Sequence, residues 1–152
     1  MREETNLVTL EQTRDIDLVR AIMTDKDIWS KIGSDIVERE QFIPLLSEKM
    51  ICLVVKTDKP IGLSQFTLEE HGVYFHPMIL KPYRRLAREA ISQSIDWYFK
   101  HIGNFLMCEI PVTQQSTINL AYKMGAKDFG INEGAIMING KRIDLQVLRL
   151  AK

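Results

Sequence analysis

The spacing of apolar residues changes from about two to about 3.6 at Pro82, and this change constrains the fold more than any other feature. After Pro82, apolar residues recur at helical spacing until His101, and Gly103 ends the helix. Residues 105–112 then form an apolar run, which predicts a strand buried on both faces. Before Pro82 lie three short β-rich runs separated by turns, namely Met50–Lys56, 61–68 and 73–80. A meander that leads through a helix into a buried strand predicts helices packed on a mixed sheet.

Before the meander, the sequence predicts a strand and several helical pieces. Residues 6–10 alternate as a strand, and Thr13 or Asp15 can cap the helix that follows. Residues 25–47 predict broken helices, because Gly33 and Pro44 interrupt them. Their predicted buried side chains are Trp29, Ile32, Ile36, Phe42, Leu45 and Leu46.

After the apolar run, the sequence predicts one more helix and a terminal hairpin. The helix covers residues 116–124 and is closed by Gly125. The hairpin joins strands at 128–138 and 142–150 through the turn Asn139-Gly140. The predicted order is therefore strand, helices, three strands, helix, strand, helix and hairpin, in an α+β or α/β layered fold.

Length and composition exclude several classes of protein. A chain of 152 residues predicts a single domain over residues 1–152. Lys plus Arg and Asp plus Glu are 20 each, so no overall positive charge exists to bind nucleic acid, and a local basic patch is the alternative. The longest apolar stretch near the middle, residues 50–55, is far shorter than the roughly 20 residues of a membrane-spanning helix.

The two cysteines and the first residues bear on location. Cys52 and Cys108 lie inside apolar runs without a CxxC spacing, which predicts buried, reduced thiols; a disulfide or a reactive thiol is the alternative. Reduced thiols fit a cytoplasmic protein. Residues 1–4 are charged, and no apolar run follows them, so no signal peptide is predicted.

No pair of histidines and cysteines has metal-ligand spacing.

Two segments of the chain carry motifs of a known kind. Residues 80–90 (LKPYRRLAREA) are similar to a strand end followed by an R/Q-x-x-G-x-G/A pyrophosphate loop, and residues 114–126 (QQSTINLAYKMGA) are similar to an N-x-x-A-I-x-L-Y-x-K-x-G-F helix. With these two segments the chain resembles the GNAT acyltransferase superfamily, in which the loop follows the fourth strand and the helix follows the fifth. The resemblance covers nearly the whole chain by element order. It implies an α+β fold with α/β/α layers, a mixed and mostly antiparallel sheet of six to seven strands, and acetyl transfer from acetyl-CoA to an amine.

The resemblance also implies a coenzyme site at the first segment, where backbone amides and a helix N-terminus bind the pyrophosphate. The sequence departs from the motif, because the loop has no glycine and Glu89 adds a negative charge. Its arginines favour phosphate binding, and a solvated helix face is the alternative. The implied coenzyme-binding residues are Met78, Ile79 and Leu80 beside the pantetheine arm, together with Arg84, Arg85, Leu86, Ala87, Arg88, Ala90 and Gln114.

Catalysis of amine acylation needs a base, and the family often adds a tyrosine that protonates the leaving thiolate. His76 on the fourth strand and Glu109 in the apolar fifth strand are the candidate bases, each with a structural role as its alternative. Ala121 occupies the position of the tyrosine, and Tyr122 lies one residue later. A shift of one residue turns a side chain by about 100° around a helix, so Tyr122 is either the acid or a packing residue.

Two prolines predict where the sheet opens. Pro77 and Pro111 each remove a hydrogen-bond donor, which predicts a V-shaped cleft between the fourth and fifth strands. Within the fourth strand, Pro77 predicts a bulge or a splay.

The departures from the family motifs suggest a particular branch of the superfamily. The loop without glycine, the missing tyrosine and the Gly125-Ala126 ending look most like phage-encoded members, which include small virion and head-assembly proteins. That similarity implies an alternative function, a non-catalytic module that binds other virion proteins in the host cytoplasm or the virion.

Overall fold

The computed structural model describes residues 7–152. Residues 1–4 and Asn6, which carried predictions about a leader and the first strand, lie outside the described residues. In chain order the elements are β1 (Thr9–Thr13), α1 (Ile16–Met23), α2 (Lys26–Ile32), β2 (Met50–Lys56), β3 (Pro60–Glu69), β4 (Gly72–Ile79), α3 (Ala87–His101), β5 (Phe105–Pro111), α4 (Gln115–Lys123), β6 (Lys127–Ile138) and β7 (Lys141–Ala151).

A seven-stranded sheet carries the fold, in the order β1-β2-β3-β4-β5-β7-β6. Neighbouring strands are antiparallel except β4 and β5, which run parallel and are connected through α3. Between β6 and β7, Asn139 and Gly140 have φ of 51° and 75°, the positive values that a two-residue hairpin turn requires. The predicted α+β fold with a mixed, mostly antiparallel sheet is confirmed.

Helices cover both faces of the sheet through their apolar sides. Val19 of α1 and Ile28 of α2 pack against β2, β3 and β4 on one face. Tyr98 of α3 and Ile118 of α4 pack against the opposite face. Because side chains alternate along a strand, each residue of β4 and β5 points either to the α1 and α2 side or to the α3 and α4 side.

The segment between α2 and β2 is less buried than predicted. In this described segment, a 3-10 turn at Arg39–Gln41 is the helical part. Ile32, Ile36 and Leu45, predicted to be buried, are 39%, 85% and 79% exposed. The prediction was wrong for these three side chains. Ile36 and Leu45 lie in an irregular segment that cannot turn all its apolar residues toward the core, and Ile32 is the last residue of α2.

Strand β5 is buried in its middle part. Leu106, Met107 and Ile110 are buried, but Phe105 is 52% exposed because α1 and α2 pack on β2 to β4 and not beside it. The prediction of burial on both faces therefore fails at the start of the strand. Both cysteines are free; Cys52 is buried, as predicted, and Cys108 is half-buried, less than predicted. No helix within residues 7–152 combines the length and the apolar character needed to cross a bilayer.

Candidate active site

The cleft lies where β4 and β5 separate. These strands have one pair of partners in register, Tyr74 and Met107. In contrast, β3 and β4 stay in register along their length, from Glu69 opposite Gly72 to Gly62 opposite Ile79. The predicted divergence of the fourth and fifth strands is confirmed, and it leaves one edge of β4 open beyond Tyr74.

Pro77 acts on this open edge. The Leu80 amide donates to the Ile61 carbonyl at 2.9 Å, and backbone directions alternate along the strand, so the missing N–H of Pro77 is on the side of β5. On the other side, Pro77 stays in register with Ser64 without a bulge. Of the two predicted consequences of Pro77, the splay occurs and the bulge does not.

A cavity of about 270 Å³ fills the cleft between β4 and β5. Its wall is made by side chains of α2, β4, α3, β5, α4 and the β6–β7 hairpin. Most of the wall is apolar, and its polar side chains are Lys31, His76, Cys108, Glu109, Gln114 and Thr117. A small apolar pocket with a few polar groups is typical of a site for a small ligand.

Hydrogen bonds connect the segments around the cavity. The Gln114 side-chain amide donates to the Lys31 carbonyl at 2.9 Å and joins the start of α4 to α2. The Asp35 carboxylate accepts from the backbone amides of Asn139 at 2.9 Å and Gly140 at 2.8 Å. The segment after α2 is therefore fastened to the tip of the β6–β7 hairpin.

The structure brings the two candidate bases together, because His76 and Glu109 both line the cavity. His76 shares a strand face with Met78, which packs with the residues of α1 and α2. Glu109 alternates with Cys108 and Ile110, which pack toward α4. Both candidate bases therefore face the α1 and α2 side of the sheet.

The surroundings keep both groups able to accept a proton. Burial raises the pKa of Glu109 above its ordinary value, the charge of Glu69 raises it further, and a hydrogen bond from the Tyr74 hydroxyl opposes this rise. Burial lowers the pKa of His76, and the charge of Glu69 acts in the opposite direction. A carboxylate with a raised pKa and a neutral imidazole are both suitable general bases.

Tyr74 and Glu69 were missed by the sequence analysis although both act on Glu109. Tyr74 precedes His76 by two residues, so the alternation along β4 could have placed the two side chains on one face. The approach of Tyr74 and His76 to Glu109 depends on the parallel register of β4 and β5. No local pattern in the sequence specifies that register.

Cys108 lines the cavity but is unsuited to act as a nucleophile. Burial raises the pKa of its thiol to about 12. The thiol is therefore protonated near neutral pH, whereas the thiolate is the reactive form. The cavity accordingly favours direct attack by an amine over an acylated cysteine.

The structure places Tyr122 away from the cavity and Ala121 in its wall. The Tyr122 hydroxyl donates to the carboxylate of Asp128 in β6, and the side chain is 41% exposed. This hydrogen bond raises the pKa of Tyr122. The arrangement agrees with the turn of about 100° per helical residue, and Ala121 offers no proton to a leaving group.

The segment implied to bind the pyrophosphate is a 3-10 turn, Lys81–Leu86, which leads directly into α3. The Tyr83 amide donates to the Leu80 carbonyl, and the Ala87 amide donates to the Arg84 carbonyl. These two amides are therefore already used within the chain, which leaves fewer donors for an anion.

The arginines of this segment differ in their surroundings. Arg84 donates to the Ile79 carbonyl at 2.8 Å and pairs with Asp27 of α2, so it already has partners within the fold. Arg85 and Arg88 are exposed. Arg85 makes one long hydrogen bond, from its guanidinium to the Pro82 carbonyl at 3.4 Å, and no side-chain hydrogen bond of Arg88 is found among the described residues.

The remaining implied coenzyme residues divide between core and strand edge. Leu86 and Ala90 are buried in the core cluster under α3, with Ala87 packed against it. Met78, Ile79 and Leu80 lie at the end of β4 beside the cleft. The Glu89 carboxylate accepts from the Leu7 amide and the Gln93 side chain, both at 3.0 Å, which compensates part of the charge predicted to repel phosphate.

The sequence matches no family model and no curated protein. Solved structures nevertheless match it over nearly its whole length. A spermidine N-acetyltransferase from Vibrio cholerae, in complex with CoA and spermine, has a TM-score of 0.77 at 16% identity, covering 97% of this chain and 96% of that chain. A probable GNAT-family acetyltransferase from Chromobacterium violaceum has a TM-score of 0.78 at 15% identity, covering 97% and 89%.

The ribosomal-protein-S18-alanine N-acetyltransferase from Escherichia coli is also similar, with a TM-score of 0.73 at 16% identity, covering 95% of this chain and 93% of that chain. At such identities the common feature is the fold. This chain therefore has the GNAT fold, and its chemistry has to be argued from its own cavity.

Proposed function

We propose that this protein transfers an acetyl group from acetyl-CoA to an amine, with Glu109 as the general base. The observation that carries the proposal is the cavity at the β4–β5 splay, which contains Glu109 and His76 in a mostly apolar wall. The GNAT fold supports it, and so does the structural neighbour from Vibrio cholerae that was solved with CoA and spermine.

In this proposal acetyl-CoA supplies the thioester, and the residues of the chain prepare the amine. Glu109 accepts a proton from the acceptor ammonium, which frees the lone pair for attack. Tyr74 lies on the same strand face as His76, and its hydroxyl opposes the rise in the pKa of Glu109. His76 is the alternative base on the same face, and the lack of a donor at Ala121 leaves the thiolate to take its proton from solvent.

The residues present fit a coenzyme unevenly. The open edge of β4 at Met78, Ile79 and Leu80 offers backbone groups to a pantetheine arm, and Arg85 and Arg88 offer charge to phosphates. The loop residues carry β-carbons throughout, and two of the amides are used within the chain. We therefore propose that coenzyme binding is weak.

The alternative is a non-catalytic module that keeps the fold and binds proteins, such as a phage virion component. The observation that favours it is the fixing of Arg84 by Asp27 and Ile79, which removes one arginine from the anion site. The named structural neighbours are bacterial enzymes and lend no support to a phage origin. The free thiols at Cys52 and Cys108 suit the cytoplasmic location that we propose under either function.

Calorimetric titration of CoA into the protein tests the proposal, together with acetyl transfer to a panel of amines. We expect a dissociation constant for CoA well above the low micromolar range. The loop lacks glycine, and some of its backbone amides already donate hydrogen bonds within the chain. Slow transfer to at least one amine is also expected. Low micromolar binding would contradict the predicted weak site, and binding of no CoA together with no transfer would favour the non-catalytic module.

The exposed arginines should contribute to whatever affinity exists. Arg85→Ala and Arg88→Ala are each expected to weaken CoA binding by about 1–3 kcal/mol, the range for hydrogen bonds that involve charged groups. Lys100→Ala, at an exposed position near the far end of α3, is the matched control and should leave the affinity unchanged. If both arginine variants and the control bind CoA equally well, the two arginines belong to a solvated helix face and not to the coenzyme site.

A further inference from the structure

The charge of the cavity wall restricts which amine can enter. Among the residues that line the cavity, the charged ones are Glu109 and Lys31. His76 carries no charge near neutral pH because burial lowers its pKa. The lining therefore offers one carboxylate, and the exposed Lys31 at the end of α2 adds a positive charge at the rim of the cavity. The remaining lining residues are apolar or neutral.

The apolar part of the wall lies beside these two charges. Ile32 of α2, Pro111 of β5, and Ile136 and Leu145 of the hairpin belong to the lining. An ammonium placed among such side chains without an anionic partner loses its hydration without compensation. The pocket can therefore satisfy one cationic centre at Glu109 and an uncharged, apolar body next to it.

The carboxylate that acts electrostatically on Glu109 is not part of the cavity. Glu69 acts on Glu109 electrostatically, but it lies at the exposed end of β3 and does not line the cavity. Tyr74 faces Glu109 from the same side. A second cationic group of a ligand inside the cavity is thus left with Lys31 and apolar walls as its neighbours.

We propose that the acceptor is a small monoamine with an apolar body, and that Lys31 excludes polyamines. This inference rests on the proposed function and names its substrate class. It separates the chain from its structural neighbour that was solved with spermine, although the two share a fold. The cavity volume of about 270 Å³ agrees with a small acceptor, since pockets for drug-sized ligands are about 300–1,000 Å³.

Calorimetry without coenzyme tests the inference through binding alone. The probes are hexylamine, hexanol and spermidine, which differ in the number of charges. Wild-type protein should bind hexylamine about tenfold more tightly than spermidine or hexanol, the ratio that about 1.4 kcal/mol produces. Glu109→Gln should remove the preference for hexylamine over hexanol.

Substitutions that change the charge at Lys31 test whether this residue excludes polyamines. Lys31→Glu should raise the ratio of spermidine to hexylamine affinity about tenfold, because a second carboxylate replaces a repelling ammonium. Lys31→Met, which removes charge but keeps an apolar chain of similar length, should raise the ratio less.

Three results would overturn the inference, namely equal wild-type binding of spermidine and hexylamine, an unchanged ratio in Lys31→Glu, or binding of no amine. Because no acetyl donor is present, these results are independent of turnover. If the chain acetylates spermidine faster than hexylamine, the inference fails while the proposed function stands. If hexylamine binds as expected but is never acetylated, the proposed function fails while the binding specificity stands.

Discussion

Glu109→Gln is expected to lower kcat/KM for amine acetylation by about 100- to 10,000-fold, the usual contribution of a general base. The amide is nearly isosteric with the carboxylate but cannot accept the proton of the acceptor ammonium. CoA affinity should stay unchanged, since Glu109 lies in β5 and away from the 3-10 turn and Arg88. Steady-state kinetics and calorimetry on the same preparation measure both quantities.

Glu133→Gln is the matched control, because this exposed carboxylate on the β6–β7 hairpin does not line the cavity. It should retain the wild-type rate. If Glu109→Gln keeps that rate as well, Glu109 is not the base, and His76→Gln becomes the informative variant. His76 shares the cavity wall and is the remaining group there that is neutral and able to accept a proton.

The same carboxyl group links activity to pH and stability. Burial raises the pKa of Glu109, so the rate should fall as the pH drops through that raised value, earlier than for an ordinary carboxyl. Stability follows the opposite course, because the folded state holds the proton more tightly than the unfolded state does, and the fold loses stability as the pH rises through the same range. Glu109→Gln should therefore be more stable than wild type near neutral pH and lose that advantage on acidification.

How far the sequence predicts the site depends on whether local or long-range features create it. Pro77 and Pro111 indicate the cleft because each removes a donor from a defined edge, and the structure opens there. The helical turn explains why Ala121 and not Tyr122 lines the cavity. The association of Tyr74 with Glu109 depends on the pairing of two strands separated by α3, which no local pattern encodes.

Contacts distant in the sequence also determine which charges are free. The motif comparison treated Arg84, Arg85 and Arg88 alike, but Asp27 of α2 binds only the first of them. In the same way, Glu89 was expected to repel phosphate, and the structure places the backbone amide of Leu7, 82 residues earlier, against it. Composition and spacing locate such charges along the chain, and only the packing of α2 and of the residues before β1 reveals these distant partners.

Phe66→Ala is expected to destabilise the fold by about 3–5 kcal/mol, the range for truncating a buried aromatic side chain. Phe66 is fully buried between the sheet and α3. Its ring centroid lies 5.0 Å from that of Phe75, 5.3 Å from Tyr98 and 6.0 Å from Trp97. Its removal leaves a cavity under α3 and breaks the contacts that position β4, because Phe75 belongs to that strand. Urea denaturation measures the loss of free energy of unfolding.

Phe129→Ala supplies the control for the same chemical change at the surface. Phe129 is 59% exposed, and the Arg149 guanidinium lies 5.5 Å from its ring centroid. Its truncation should therefore cost no more than about 1 kcal/mol, the upper range for an exposed cation–π contact. If both variants lost the same stability, the aromatic cluster under α3 would not be the main support of the sheet. The cleft between β4 and β5 would then depend on the helices α1 and α2, whose contacts with Met78 hold β4 from the opposite face.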